Sequence, residues 1–284
     1  MSAVYAEQMK LPHPLTGELF ESPVPPGSGW PEDPAEAGTP VAHNPAEVVE
    51  LARVDGLAEV DARVSVCGAC PRLVAWREDV ARVKRKSFAD QPYWGRPIAG
   101  WGDTAPRIVI AGLAPAANGG NRTGRVFTGD RSGDWLFASL FRVGLANQPT
   151  SEHAGDGLRL RGARMIAAVR CAPPANKPTP GERDTCNPWF RRELELVLPS
   201  TKVIVCLGKF GFDVLLGALE GLGGVVPRPR AKFGHGVEYV VPVQGREVTV
   251  MGSFHPSQQN TFTGKLTEQM QDAVLTRAKV LGGL

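Results

Sequence analysis

Two groups of residues in this sequence have the types and spacing to do chemistry. The first is a set of cysteines. Cys67 and Cys70 form a Cys-x2-Cys pair, and Cys171 and Cys186 bracket a proline-rich stretch with fourteen residues between them. Four thiolates are the number that a cubane iron–sulfur cluster or a structural zinc ion requires. Zinc sites usually show two short Cys-x2-Cys pairs, so the wide second pair favours iron–sulfur. The bland reading is four unrelated buried thiols. Cys206 lies inside Val-Ile-Val-Cys-Leu and reads as a core residue.

The second group is polar and lies in loops. Residues 107–130 begin as an apolar run, Ile108 to Ala111, turn into a Gly- and Asn-rich loop at Gly112, and reach Asp130, where a helical pattern starts. Such a loop exposes many backbone N–H groups, which suits an anionic or hydrogen-bonding ligand. Asp130 fits either a helix N-cap or a carboxylate aimed at a reacting carbon or water. Phe127 is either core or a platform for a flat ligand. Asn176, after Cys171-Ala-Pro-Pro-Ala, is a turn residue or a reader of an amide-like edge. His255, in His-Pro-Ser-Gln-Gln-Asn-Thr-Phe, is a packed imidazole or a hydrogen-bond donor to developing negative charge.

The elements that must position these residues alternate. Apolar runs at 107–112, 165–170, 203–207 and 247–253 read as strands, and amphipathic stretches after Asp130, over 182–198, to about Leu219 and over 264–281 read as helices. Runs that are apolar throughout belong to a mainly parallel sheet covered on both faces. Val237–Val243 is expected to pair with Glu247–Ser253 around Gln244-Gly245. Two helices flank Cys67, the second opening at Pro71. The interesting loops then follow residues 112, 170, 207 and 253, at one edge of the sheet, where open α/β sheets bind ligands. Three such loops converging there raise the weight of the functional readings.

Residues 1–45 hold nine prolines and read as an extended or disordered arm, leaving 46–284 as one domain. No apolar run approaches the ~20 residues of a membrane span. No basic region followed by an apolar one is seen at the N-terminus, so a cytoplasmic location is expected. The net charge of +3 hides an asymmetry. Residues 1–66 carry 3 Lys/Arg and 11 Asp/Glu, while residues 67–284 carry 29 and 18, a net of +11. That part suits a polyanion, though an ordinary solvated surface in an Arg-rich chain fits equally well.

Gly112-Leu-Ala-Pro-Ala, Asn121-Arg-Thr-Gly-Arg-Val-Phe-Thr-Gly-Asp130 and His255-Pro-Ser together resemble the uracil-DNA glycosylase superfamily. The four cysteines are similar to those of its iron–sulfur branches, and the Gly-Leu-Ala-Pro-Ala and Phe-Thr-Gly-Asp forms resemble family 5, the broad-specificity type B. The resemblance covers about residues 60–280. It implies a three-layer α/β/α fold with a four-stranded, mainly parallel sheet, and a [4Fe-4S] cluster on Cys67, Cys70, Cys171 and Cys186. It also implies hydrolysis of the N-glycosidic bond of uracil in double-stranded DNA by a monomer with no membrane attachment. By position, Gly112, Leu113, Ala114, Pro115 and Ala116 would line the pocket. Phe127 would stack on the flipped base, Asn176 would read its Watson–Crick edge, and His255 would face the uracil O2. Asn121, Arg122, Ser257, Gln258, Gln259 and Asn260 would meet DNA, with Gln258 to Phe262 as a wedge in the minor groove.

Two departures matter. Ala114 stands where the best-known branch has a water-activating Asp, and Ala116 where the classical branch has a Tyr that excludes thymine. With the usual base absent, the expected catalytic pair is Asp130 and His255, acting on uracil and other deaminated bases such as hypoxanthine. The rival reading is a non-catalytic iron–sulfur protein for nucleic-acid binding or electron transfer, which needs neither residue.

Overall fold

Each apolar run becomes a strand buried on both faces, and its two sides feed two separate cores. The computed structural model describes residues 10–284. A short hairpin, β1 (Leu11–Pro12) and β2 (Leu19–Phe20), precedes three helices: α1 (Pro45–Leu51), α2 (Leu57–Ser65) and α3 (Pro71–Val83). There follow β3 (Trp101–Gly102), β4 (Ile108–Gly112), α4 (Gly120–Thr123), α5 (Arg131–Arg142), β5 (Ala163–Ala167), α6 (Pro180–Val197), β6 (Val203–Leu207) and α7 (Lys209–Gly221). The chain closes with β7 (Glu238–Val243), β8 (Arg246–Ser253), α8 (Gln258–Phe262) and α9 (Glu268–Gly282).

The main sheet has the order β3-β5-β4-β6-β8-β7. The β5-β4-β6-β8 core is parallel, and β3 and β7 are antiparallel edges. The sheet therefore has six strands where four are expected, because two antiparallel edges extend the parallel core. One edge is the anticipated hairpin, turned at Gln244 (φ 51°) and Gly245 (φ 74°), both left-handed as a tight two-residue turn requires. The other, β3, is only two residues long and carries no sequence signal. The strand expected at 165–170 begins two residues earlier. Its continuation still bonds backbone to backbone, Ala168 N–H to Gly112 O and Val169 N–H to Leu113 O.

Side chains alternate across β4. Ile108 and Ile110 join Leu136, Phe137 and Leu140 of α5 and Val274, Leu275 and Ala278 of α9. Val109 and Ala111 join Phe190 and Leu194 of α6 and Phe212, Leu215 and Leu216 of α7, with Cys206 in the same core. These are the three layers α5/α9, sheet and α6/α7. Helices α1 and α2 lie outside α6, sharing Val48, Val60 and Val64 with Trp189. Residues 10–44 have little regular structure, as their prolines dictate, but they run against the domain. Phe20, Val24 and Trp30 are buried with Trp94, Ile98 and Val126, and Asp33 pairs with Arg96 at 2.5 Å.

Candidate active site

The site is built from the C-terminal ends of the parallel strands. β4 stops at Gly112, where a Cβ would fall 2.5 Å from Cζ of Phe127. Only glycine lets that ring lie over the strand end. Phe127 itself has left-handed backbone, φ 56°, a conformation costing of the order of 1–3 kcal/mol in a non-glycine residue. Gly133 permits it, since a Cβ there would meet the Phe127 carbonyl oxygen at 2.0 Å. The ring faces His255, with centroids 6.2 Å apart.

Asp130 does two things at once. Its Oδ1 accepts from Gly133 N–H at 3.0 Å and caps α5. Its Oδ2 lies against Gly119, where a Cβ would come within 2.2 Å. The carboxylate thus reaches the cavity while anchored at the helix start. Arg122 secures the preceding residue: Nη2 donates to Gly129 O at 2.9 Å, Nε to Asn118 O at 3.0 Å and Nη1 to Gln91 at 2.9 Å. Its guanidinium also lies 4.0 Å from the centre of the Phe88 ring.

His255 follows β8. Burial lowers its pKa below the ordinary 6.5, and the Asp130 charge only partly opposes that, so the imidazole is neutral at neutral pH. Its carbonyl accepts from Asn260 Nδ2 at 2.9 Å, which holds α8 against the strand end. Asn176, also left-handed at φ 56°, is exposed at the tip of the loop after Cys171. A cavity of about 850 Å³ joins Ala116, Asn118, Gly119, Asp130, Asn176 and Gln258. Leu113 and Ala114 are half-buried and Pro115 is buried. Ala114 packs on the far side against Cys70, Leu73, Val169 and Cys171.

A family model described as the uracil DNA glycosylase superfamily matches residues 99–279. A Mycobacterium bovis protein named type-5 uracil-DNA glycosylase is 56% identical over 96% of this chain and 99% of its own. The Thermus thermophilus protein of the same name is 48% identical over 78% of this chain and 96% of its own. An Archaeoglobus fulgidus type-4 uracil-DNA glycosylase is 31% identical over 56% and 70%. The chain belongs to the uracil-DNA glycosylase superfamily, in its type-5 branch.

Against the glycosylase motifs, Gly112–Ala116, Phe127, Asp130, Asn176 and His255 gather at one sheet edge. Ser257, Gln258 and Gln259 stand at the start of the short helix α8, and Phe262 is 67% exposed at its end. Of Asn121 and Arg122, expected to meet DNA, Asn121 is buried away from the cavity, and Arg122 borders the cavity with its guanidinium tied up in internal bonds. Asn121 is fully buried and donates to Arg77 O at 3.1 Å, while Arg122 is 5% exposed and spent on the carbonyls and side chain above. The turn of α4 points Asn121 inward. Asn260 likewise faces its own loop. Sequence reasoning missed Arg122 and Gln91 as the clamp on Gly129, because a polar residue in a loop carries no mark of burial.

The four cysteines of this glycosylase line one small cavity with Leu73, Val169, Arg77, Arg170 and Trp189. All are free thiols, and among the described residues no three metal-binding side chains converge on a point for a single ion. Burial and neighbouring thiols push Cys70 up to about 12 and raise Cys67 and Cys186 as well. Such thiols keep their protons unless a bound metal displaces them. Four thiol donors beside Arg77 and Arg170 are the donor set that a [4Fe-4S] cluster would take.

Proposed function

We propose that this chain flips uracil, and other deaminated bases such as hypoxanthine, out of double-stranded DNA and hydrolyses the N-glycosidic bond to leave an abasic site. The observation that carries this reading is that Asp130 and Asn176 line one cavity at the strand ends, while His255 faces the Phe127 ring and lies close enough to Asp130 to feel its charge. Flipping costs a few kcal/mol. Filling the stack with Gln258, Gln259 and Phe262 and holding phosphates on the basic face offset it. Phe127 stacks on the extruded base and Asn176 reads its edge. As the bond stretches, negative charge grows on the base and positive charge on the sugar. Neutral His255 donates to the base oxygen, aided by backbone N–H groups of the Gly112–Ala116 loop. Asp130 faces the sugar cation and orients water. No lysine lies within the matched motifs, residues 112–116, 121–130 and 255–257, to form a Schiff base, so strand cleavage is not expected.

Cys67, Cys70, Cys171 and Cys186 would hold a [4Fe-4S] cluster that ties the α3 start to the loop bearing Asn176, a structural rather than chemical contribution. The small side chains of Ala114 and Ala116 leave room for bases larger than uracil. The enzyme works as a cytoplasmic monomer, and no helix among the described residues is long and apolar enough to cross a membrane. The test is release of free base from duplexes bearing one uracil or one hypoxanthine. Release of both is expected. Binding without any release would leave a non-catalytic role, and strict confinement to uracil would remove the broad pocket.

A further inference from the structure

Arg77 sits in the middle of α3 and is 5% exposed. Its Nη1 donates to Cys67 O at 3.1 Å and to Cys171 Sγ at 2.8 Å, and its buried Nε has no partner. Most other deeply buried arginines are compensated by carboxylates, and Arg122, which is not, has its three guanidinium nitrogens taken by Asn118 O, Gln91 Oε1 and Gly129 O. Arg96 has Asp33 at 2.5 Å, Arg125 has Asp156 at 2.6 Å, Arg164 has Asp61 and Glu193 at 2.7 Å, and Arg170 has Glu193. Arg77 has no carboxylate within ion-pair distance among the described residues. A buried cation without an anion is destabilising. Arg77, unlike Arg122, also leaves its Nε unpartnered and turns Nη1 onto a cysteine sulfur, which marks the cavity it faces as the source of the counter-charge. The cavity offers only thiols. Arg170 points the same way: Glu193 takes one end of its guanidinium, while Nε and Nη1 are buried without partners. The indole Nε1 of Trp189, on the same wall, is also free.

We infer that Arg77 is the counter-cation of an anionic four-thiolate cluster, donates hydrogen bonds to its sulfurs and thereby sets its reduction potential, with Arg170 as a second cation. This rests on the four-cysteine reading given above. A thiolate-ligated cluster is anionic and becomes more so on reduction, so a buried positive charge beside it favours the reduced form. Cluster potentials respond to net charge, hydrogen bonds to sulfur and burial. Arg77 therefore touches the cofactor's ligands and takes no part at the base pocket.

The full chain, prepared anaerobically, is analysed first for iron, sulfide and visible absorbance. Wild-type protein without sulfide, or with stoichiometric zinc, overturns the cofactor reading and this inference with it. With a loaded wild type, Arg77→Gln and Arg77→Lys are compared by redox titration and by the half-life of the absorbance in air. Arg77→Gln should shift the midpoint potential to more negative values, and Arg77→Lys should recover part of the shift by keeping the charge. Where Arg77→Gln folds by circular dichroism but fails to load, iron retention replaces the potential as the readout, and Arg77→Lys should retain iron. An unchanged potential in Arg77→Gln, or equal loss of iron in both variants, overturns the assignment while leaving the cluster itself in place.

Discussion

At the scale of single residues, Asp130 separates a structural from a chemical duty. As an N-cap it is worth ~1 kcal/mol, and Asn caps equally well. Asp130→Asn should therefore keep the melting temperature and DNA affinity while cutting single-turnover cleavage by orders of magnitude, because an amide cannot neutralise an oxocarbenium ion. Near wild-type cleavage would mean that the carboxylate only caps α5. His255 makes a second demand. Its pKa lies below 6.5 because burial disfavours the imidazolium, so the neutral imidazole is the form the proposed role would use. Its contribution to the pH–rate profile should be flat above pH 6.5 and change only on the acid side. Ala116→Tyr should narrow the range of bases released, measured as the ratio of hypoxanthine to uracil excision. These residues are legible in the sequence because they stand in polar loops at the ends of apolar strands. Arg77 and Arg122 are not. A charged residue on a helix or in a turn ordinarily reads as solvated surface, and only tertiary contacts from Cys171, Gly129 and Phe88 bury them. The same blindness put Asn121 on the DNA side.

At the scale of elements, the alternating pattern made four parallel strands and their helices visible, and the Gln244-Gly245 turn marked a fifth strand. β3 escaped because a two-residue edge has no period to detect. Residues 10–44 were equally opaque: proline content forecasts irregular backbone but says nothing of what that backbone packs against. Trp30 is 3% exposed and its indole sits over Gly124, where a Cβ would come within 2.9 Å of Nε1. Deleting residues 1–45 removes this contact and the Asp33–Arg96 pair, so the segment expected to be an extended or disordered arm instead supports the loop that leads to Asp130. Trp30→Ala should destabilise by roughly 3–5 kcal/mol, read as a fall in the denaturation midpoint. The arm also carries an acid-labile contact. His13 and His153 lie with ring centroids 4.2 Å apart, and burial depresses them to about 4 and about 3. Their unfolded values are near 6.5, so the unfolded chain takes up protons first as pH falls. Stability from this pair is intact above pH 6.5 and should decline from pH 6.5 down to about 4 for His13 and about 3 for His153. Calorimetry across that window should show a shallower decline for His13→Phe.

At the scale of the whole molecule, charge and topology act together. The +11 of residues 67–284 lies on the domain that bears the site, and the −8 of residues 1–66 on the segment leading to it. Phosphate contacts release counterions, so DNA affinity should fall steeply with salt, and a flat salt dependence would remove the case for a polyanion-binding face. Composition made this charge contrast legible, but not its geometry. The cysteines show why: residues 67, 70, 171 and 186 reach one cavity only because α6 returns past α3. That path has a consequence for how the protein is made. Cys67 and Cys70 leave the ribosome about a hundred residues before Cys171, and the last thiol follows only when two-thirds of the chain exists. A nascent chain therefore carries a lone Cys-x2-Cys pair through about a third of its synthesis, open to oxidation and to stray metal. Closing the set spans a long loop and must wait until β4 and β5 have paired and α6 has docked. For the proposed cluster, iron delivery would thus be a late event, and slowing translation beyond residue 70 should lower the yield of iron-loaded protein without lowering the yield of chain.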